Sequence, residues 1–248
     1  MEITKLLRRS DTVDGLVRDL HKLPVLMTKL FNQKKLIKNY LKYNEIKKLQ
    51  LGAGATTLPG WLSTDIVPAS ERVVYLDVTK PFPFNNDTFD YIYNEHIIEH
   101  ISWHEGSLML QECRRVLRPS GTIRIATPDL EVLIGLYNHP REPFNKEFIN
   151  WITNRFLDEI DDYKASFVIN NAFRNWGHQF LYDGELLEMA MQKAGFTNIQ
   201  RFFPGKSDDE NLCGIESHGK NVANVDMAAF ETMVFEGKCP ELEIHARK

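Results

Sequence analysis

The stretch LQLGAGATTLPGWLSTDI, residues 49–66, joins a short apolar run, a turn with two glycines and a second apolar run that ends in an acid. The flanking leucines indicate a buried strand, and Gly52 and Gly54 allow the backbone to turn sharply and to approach a ligand closely. Asp65 stands at the end of the next predicted strand, residues 61–66. This order of strand, glycine turn, strand and acid predicts an α/β protein with a ligand at one edge of its sheet.

The rest of the chain alternates short apolar or β-branched runs with amphipathic segments. The predicted strands are 49–51, 61–66, 73–76, 89–93, 122–126, 198–203 and 227–236; the predicted helices are 24–44, 104–117, 130–138 and a segment that Asp183 caps and Gly195 ends. This alternation predicts a mostly parallel sheet with right-handed crossovers. Residues 139–180, rich in aromatics, are interpreted as interrupted helices that form either a cap over the active site or ordinary core helices.

The distribution of charge divides the 248 residues into a basic start and an acidic body. Residues 1–48 carry a formal charge of +7 and the remainder −11. An acidic body argues against nucleic acid as a partner, since that ligand needs a basic face. We therefore expect a basic helical extension, residues 1–46, that packs on a domain of residues 47–248; weak contact of residues 1–48 with an anionic membrane is the alternative.

Neither a membrane span nor a secretory signal is predicted. No apolar run reaches the roughly 18 residues that a bilayer requires, and the first 15 residues lack the apolar block of a signal peptide. We expect a cytoplasmic protein. The three cysteines, Cys113, Cys213 and Cys239, are too widely spaced to predict a disulfide framework or a metal site. The oligomeric state is left open.

Acids at the ends of successive strands indicate the kind of ligand. Asp65 is placed to accept hydrogen bonds from ribose hydroxyls, and Asp77, after the third strand, from an adenine amino group. The chain has no G-x-x-x-x-G-K-[ST] phosphate loop, and Thr57 stands where a nicotinamide-binding turn would have its third glycine. S-adenosylmethionine carries no phosphate, so a shorter glycine turn suffices for it.

Four segments resemble the successive motifs of class I S-adenosylmethionine-dependent methyltransferases: LQLGAGATTLPGWLSTDI, VVYLDVTKPFPFNNDTFDYIYNEHIIEHI, ECRRVLRPSGTIRIATPDL and LLEMAMQKAGFTNI. Within that class the chain is most similar to small methyltransferases, some of them associated with surface-polysaccharide synthesis. The resemblance spans about residues 48–203. It implies a Rossmann-like seven-stranded sheet with helices on both faces, the last strand antiparallel, and S-adenosyl-L-methionine as cofactor.

The resemblance also implies roles for particular residues. It places the methionine end of the cofactor at Gly52 and Gly54, the ribose at Asp65, the adenine at Asp77 and the sulfonium beside Asn94 and Glu95. Ala53, Ile66 and Val78 are further cofactor-binding candidates. Two features depart from the family pattern. Gln50 replaces the usual acid before the turn, and only six residues separate Gly54 from Trp61, which predicts a loop in place of the first crossover helix.

The run His96-Ile97-Ile98-Glu99-His100 matches the H-x-x-E-H pattern of some zinc peptidases. A helix there would put His96 and His100 on one face. The same letters also fit the methyltransferase segment after strand four, so we predict a structural role for His100 and no metal. A divalent metal that assists methyl transfer through some of these residues is the alternative.

Methyl transfer to a hydroxyl benefits from a general base, for which histidine is the usual residue. His178 is the first candidate because it lies between the aromatic stretch and the helix that Asp183 caps, and His96 is the second. The predicted function is methyl transfer to a small molecule or sugar precursor. A catalytically silent cofactor-binding module that acts through a partner is one alternative, and a nicotinamide-dependent oxidoreductase is the other.

Overall fold

A computed structural model describes residues 33–157 and 160–241 of the 248-residue chain. The strands are β1 (Lys48–Leu51), β2 (Leu62–Asp65), β3 (Val74–Tyr75), β4 (Phe89–Glu95), β5 (Leu117–Pro128), β6 (Thr197–Phe202) and β7 (Thr232–Lys238). The helices are α1 (residues 33–43), α2 (Trp103–Val116), α3 (Leu130–Asn138), α4 (Pro143–Phe156), α5 (Ala165–Arg174), α6 (Gly184–Lys193), α7 (His218–Asn221) and α8 (Val225–Glu231), with a 3-10 turn at Ile98–His100.

The seven strands form one sheet in the order β3-β2-β1-β4-β5-β7-β6. Strands β1 to β5 are parallel to one another, whereas β7 runs antiparallel between β5 and β6. The predicted Rossmann-like sheet with an antiparallel last strand is therefore confirmed. In such a sheet the carboxyl ends of β1 to β4 lie along one edge, where α/β proteins bind their ligands.

The main core lies where the central strands meet α2 and α6. Leu49, Ile92 and Ile123 from three neighbouring strands are fully buried, and Leu110 and Cys113 of α2 pack in the same cluster. Cys113 is fully buried on the apolar face of α2. Because both faces of the sheet are buried, its strands appear in the sequence as short, continuous apolar runs.

Side-chain caps set the beginnings of the helices that flank the edge. Ser102 and Glu105 form a capping box that begins α2, and Asp129 accepts a backbone hydrogen bond at the start of α3. Asp183 caps α6 through a 2.8 Å bond from the Leu186 amide, and Gly195 follows that helix at φ +93°. The predicted boundaries of α6 are confirmed.

The last predicted strand was partly wrong. Residues 227–236 were expected to form one strand, but Val225–Glu231 form α8 and only then does β7 begin. The run is mostly apolar and is interrupted by Glu231 and Thr232. Periodicity alone does not separate a buried helix from a buried strand over so few residues. Asn224 settles the matter locally, because its side chain accepts the Met227 amide and caps a helix.

Helix α1 is the described part of the predicted 24–44 helix, and residues 1–32 lie outside the described residues. Its apolar side chains Leu36, Ile37, Tyr40 and Leu41 pack on the main core. The Tyr40 hydroxyl also accepts the Lys48 amide at 2.8 Å, which ties the helix to the start of β1. Among the described residues, no helix is both long and apolar enough to cross a membrane.

Residues 139–180 form α4 and α5, as their aromatic and apolar spacing predicted. With α3 and α8 they build a second apolar cluster, separate from the main core, around Phe148, Ile152 and Val168. This second cluster lies against the carboxyl side of the sheet, since Pro128 at the end of β5 and Ile152 of α4 line one cavity.

Candidate functional site

The glycine turn, Asp65, Asp77, Asn94 and Glu95 come to one edge of the sheet. Leu51, the last residue of β1, pairs with Asn94 of β4, and Asp65 of β2 pairs with Tyr75 of β3. Asp77 follows two residues beyond Tyr75. The strand ends that the sequence singled out are thus neighbours in space.

The glycine turn is held by backbone bonds and by Asp65. Gly52 and Gly54 have φ values of +62° and +53°, in the region that favours glycine. The Ala53 amide donates to the Thr64 carbonyl at 2.9 Å, and the Gly54 amide donates to Asp65 Oδ2 at 2.8 Å. Asp65 therefore supports the turn, and its contact with a ribose stays a prediction.

Gln50 explains how β1 and β2 connect without a helix. Its buried side chain donates from Nε2 to the Thr56 carbonyl at 2.9 Å, while Oε1 accepts the Leu58 amide at 3.1 Å and the Ser63 hydroxyl at 2.7 Å. These three bonds hold residues 52–61, which the sequence correctly predicted to be a loop. The amide is both donor and acceptor, which a carboxylate is not.

Gln50→Glu tests this role. The substitution replaces the donor to the Thr56 carbonyl with a buried negative charge, so we expect a loss of about 1–3 kcal/mol in the free energy of unfolding. Urea unfolding at pH 7 measures it. Gln111→Glu, at an exposed position on α2, is the matched control and should change stability by no more than about 0.5 kcal/mol. Equal effects would contradict the assigned role of Gln50.

Asp77 is the predicted adenine contact, and Ile66 and Val78 are cofactor-binding candidates that follow β2 and β3. Asp77 Oδ1 accepts the Thr79 amide at 2.9 Å and the Thr79 hydroxyl at 2.6 Å, which orients the carboxylate. Ile66 is 57% exposed although it is a large apolar side chain, and Val78 is half-buried. Their roles at the cofactor stay predictions.

Asn94 and Glu95 end β4 in different surroundings. Asn94 is fully buried, and neither its amide oxygen nor its amide nitrogen has a hydrogen-bond partner among the described residues. The Glu95 carboxylate accepts the Ser217 amide and hydroxyl and the His218 amide at 2.8–3.0 Å. Glu95 thus anchors the start of α7, a contact across more than 120 residues that no sequence pattern indicated.

His96 is held in an uncommon conformation by backbone and side-chain bonds. Its φ is +52°, its amide donates to the Ala126 carbonyl at 2.9 Å, and its Nδ1 lies 2.9 Å from Glu99 Oε1. Burial opposes the charged imidazolium, but the hydrogen bond and charge of Glu99 outweigh it and raise the pKa of His96. Its Nε2 is buried and lacks a partner among the described residues.

The H-x-x-E-H run does not form the helix that a zinc peptidase would require. His96 lies outside helical geometry, and Ile98–His100 make only a single 3-10 turn before α2 begins at Trp103. His96 and His100 therefore do not share one helix face. Glu99 is fully buried; its pKa is raised by burial but lowered more by the hydrogen bond from His96 and the charges of His96 and His100.

His178 comes from the segment between α5 and α6 and faces the 3-10 turn. Its Nδ1 lies 2.8 Å from the Ala172 carbonyl oxygen, and its ring centroid lies 4.9 Å from that of His100. Burial lowers the pKa of His178. The two histidines predicted as base candidates, His178 and His96, line the same cavity.

This cavity of about 330 Å³ lies between the carboxyl edge of the sheet and the second apolar cluster. Its lining includes four histidines, one acid and three large aromatics: His96, His100, His178, His218, Glu231, Trp151, Phe156 and Trp176. Sequence reasoning missed His218 and Glu231, which come from α7 and α8. His218 stacks on His96 with ring centroids 3.9 Å apart. No spacing rule connects residues so distant in sequence.

The edge fits an adenosyl cofactor by two observations. Gly54 has a positive φ, and no atom of the described residues lies within 4 Å of the position that its Cβ would take, so residues 33–157 and 160–241 leave open space above this turn. The buried Asn94 amide has no partner among the described residues, and such a group normally has one. Gly52, Gly54, Asp65, Asp77 and Asn94 would hold the cofactor.

Comparison with known proteins agrees with the fold. Residues 59–125 match the family described as "Methyltransferase domain". No curated protein matches the chain. The family match and the sheet order support a Rossmann-like methyltransferase domain, with S-adenosyl-L-methionine as its cofactor.

Solved structures are similar at low identity. A SAM-dependent methyltransferase from Archaeoglobus fulgidus is 15% identical over 85% of this chain and 94% of its own, with a TM-score of 0.45. The methyltransferase complex with the Trm112 methyltransferase activator from Haloferax volcanii is 14% identical over 85% of this chain and 91% of its own, with a TM-score of 0.44. The Haemonchus contortus phosphoethanolamine N-methyltransferase 2, in complex with S-adenosyl-L-methionine, is 14% identical over 84% of this chain and 53% of its own, with a TM-score of 0.38.

Proposed function

We propose that the chain is an S-adenosylmethionine-dependent methyltransferase that acts on a small molecule or a sugar precursor. The observation that carries the proposal is the carboxyl edge, where two positive-φ glycines, Asp65 bonded to the Gly54 amide, and Asp77 lie on successive strand ends. That constellation suits a nucleoside whose sulfur end rests on an open backbone turn.

The size and lining of the cavity support a small acceptor. A volume of about 330 Å³ lies near the lower end of the range usual for small-molecule sites, roughly 300–1,000 Å³. Tryptophan and phenylalanine side chains offer flat apolar walls, and the histidines offer polar contacts. One sugar ring or a compact aromatic alcohol matches this combination of volume and chemistry. Helix α4 contributes Trp151 and Phe156 to the walls, and Trp176 follows the end of α5. These two helices serve as the proposed cap.

His96 is the proposed general base. When bound, the cofactor supplies an electrophilic methyl group, so the protein positions the acceptor and removes its proton. His96 donates a hydrogen bond from Nδ1–H to Glu99, which leaves the lone pair on Nε2, the arrangement in which a carboxylate orients a catalytic histidine. His178 has a backbone carbonyl in place of a carboxylate and is therefore the weaker candidate.

Asp65→Ala tests the proposed function. We expect binding of S-adenosylhomocysteine to weaken by about 1–3 kcal/mol, because hydrogen bonds to a charged acceptor are lost. Isothermal titration calorimetry measures the affinity. Asp226→Ala removes an exposed acid on α8 and is the control, with an unchanged affinity expected. If Asp65→Ala binds the nucleoside as tightly as the wild type, the assignment of the edge fails.

The alternatives are separated by two further measurements. Calorimetry with NAD should give no binding; binding of NAD in place of S-adenosylhomocysteine would identify the nicotinamide alternative. Transfer of a labelled methyl group to a panel of sugars and small alcohols separates an enzyme from a silent module. Gln50 replaces the usual acid of the family, which would suit a catalytically silent module. Because Gln50 has a structural role in the loop after β1, its presence does not favour that alternative.

A further inference from the structure

We propose that Glu99, His100 and His178 bind a divalent transition-metal ion, with zinc(II) the best-suited member. Each residue offers one ligand atom, and these atoms all lie within 4.8 Å of one another. Two imidazole nitrogens and one carboxylate oxygen form a ligand set found in catalytic zinc sites. The inference rests on this geometry and not on the proposed methyl transfer, and it replaces the expectation from sequence that the chain holds no metal.

The orientation of His178 is that of a metal ligand. A carbonyl oxygen only accepts hydrogen bonds, so the 2.8 Å contact with the Ala172 carbonyl requires the proton on Nδ1 of His178. The lone pair is then on Nε2. Histidines that bind metals commonly donate their other ring nitrogen to a backbone carbonyl or a carboxylate, which fixes the tautomer and the ring orientation.

Glu99 retains capacity for an ion. The Thr127 hydroxyl donates to its Oε2 at 2.9 Å, and His96 Nδ1 lies 2.9 Å from Oε1. A carboxylate has about four acceptor positions, so two of them remain. The carboxylate is fully buried, and a buried negative charge is stabilised by a cation at close range. The contacts from Thr127 and His96 orient it as outer-shell partners orient a metal-binding carboxylate.

The two segments that carry the ligands are joined by direct hydrogen bonds. The Gln179 and Phe180 amides donate to the Glu99 carbonyl at 2.7 and 3.2 Å, and Gln179 Nε2 donates to the His100 carbonyl at 2.8 Å. The site is therefore preorganised by the backbone on both sides. Because His100 and His178 line the cavity, a tetrahedral ion with these three ligands would keep one position open to it.

The donor atoms decide which metals fit. Magnesium and calcium prefer oxygen ligands only, whereas imidazole suits zinc, iron(II), nickel and copper. The experiment uses zinc(II) as the probe. Tag-free full-length protein is stripped with a chelator and titrated by calorimetry, and cobalt(II) is then bound as a visible reporter. We expect one zinc ion per chain and a visible cobalt spectrum typical of four-coordinate geometry.

Variants of the two histidines locate the ion. His100→Ala and His178→Ala should each weaken zinc binding at least about 100-fold, the upper end of the loss caused by removing only an outer-shell partner. His104→Ala removes an exposed histidine on α2 and should bind zinc as the wild type does. Circular dichroism checks that each variant is folded. Wild-type zinc affinity in a folded His178→Ala protein would overturn the site.

A wild-type measurement keeps the inference testable if the variants do not fold. Zinc(II) should raise the melting temperature of the stripped wild type, since a ligand that binds only the native state stabilises it, and magnesium should not. An unchanged melting temperature would refute the proposal. Titration of the stripped protein with S-adenosylhomocysteine separates the zinc site from the proposed cofactor site. If the protein binds the nucleoside but not zinc, only the zinc site is refuted. If it binds zinc but not the nucleoside, only the proposed cofactor site is refuted.

Discussion

Gly52→Ala is expected to lower the free energy of unfolding by about 2–5 kcal/mol and to abolish measurable nucleoside binding. A Cβ at this position would lie 1.8 Å from Ile97 Cδ1 and 2.4 Å from Cγ1, so the Ile97 side chain must leave its place. Displacing a packed side chain costs about 1–3 kcal/mol. The φ of +62° adds about 1–2 kcal/mol for any residue with a Cβ.

Gly54→Ala is the matched control, because Gly54 has a similar φ of +53° but no atom within 4 Å of the Cβ position. It should lose only the backbone part, about 1–2 kcal/mol. Urea unfolding compares the two variants, and calorimetry with S-adenosylhomocysteine follows the site. The double variant Gly52→Ala with Ile97→Ala removes the clashing side chain and should recover part of the binding. Equal losses for the two glycines would contradict the contact with Ile97.

Arg124→Met is expected to destabilise the fold by about 3–5 kcal/mol, the usual cost of removing one partner from a buried ion pair. Arg124 is fully buried in β5. Its Nε donates to Glu216 Oε1 at 2.6 Å, and its Nη1 bonds to Glu236. Methionine fills much of the same volume but leaves two nearly buried carboxylates side by side without a cation.

The Arg124 substitution should also affect the site. Glu216 accepts the Gly205 amide at 2.9 Å and directly precedes Ser217, which together with His218 donates to Glu95. Losing Arg124 therefore loosens the segment that places His218 on His96. We expect a lower rate of methyl transfer per folded molecule in addition to lower stability.

Arg118→Met on the same strand provides the comparison for Arg124. Arg118 is about one-third exposed and pairs with Asp90 at 2.8 Å, so its loss should cost no more than about 1 kcal/mol. Urea unfolding measures both variants. Adding Glu216→Gln and Glu236→Gln to Arg124→Met neutralises the two carboxylates and should restore stability in part. A cost for Arg124→Met as small as that for Arg118→Met would show that the buried ion pairs contribute little.

Local chemistry was enough to predict the part of the molecule that depends on near neighbours. Glycines at positive φ, acids at strand ends and the Asp183 cap all act over a few residues, so their sequence spacing carries their structure. The sheet class followed from short apolar strands alternating with amphipathic helices. Where a mostly apolar run was short, as in 227–236, the same reasoning did not separate helix from strand.

What the sequence alone determined is the sheet and its carboxyl edge: the glycine turn, Asp65 and Asp77 reach one place because parallel strands end together. Tertiary structure decided which side chains contact one another. Gln50 acquires a role only when Thr56 and Ser63 surround it, and His178 meets His100 only when the segment after α5 folds back onto the 3-10 turn. Side-chain packing rather than local spacing selects such contacts, and the contact of His178 with His100 also joins residues far apart in the chain.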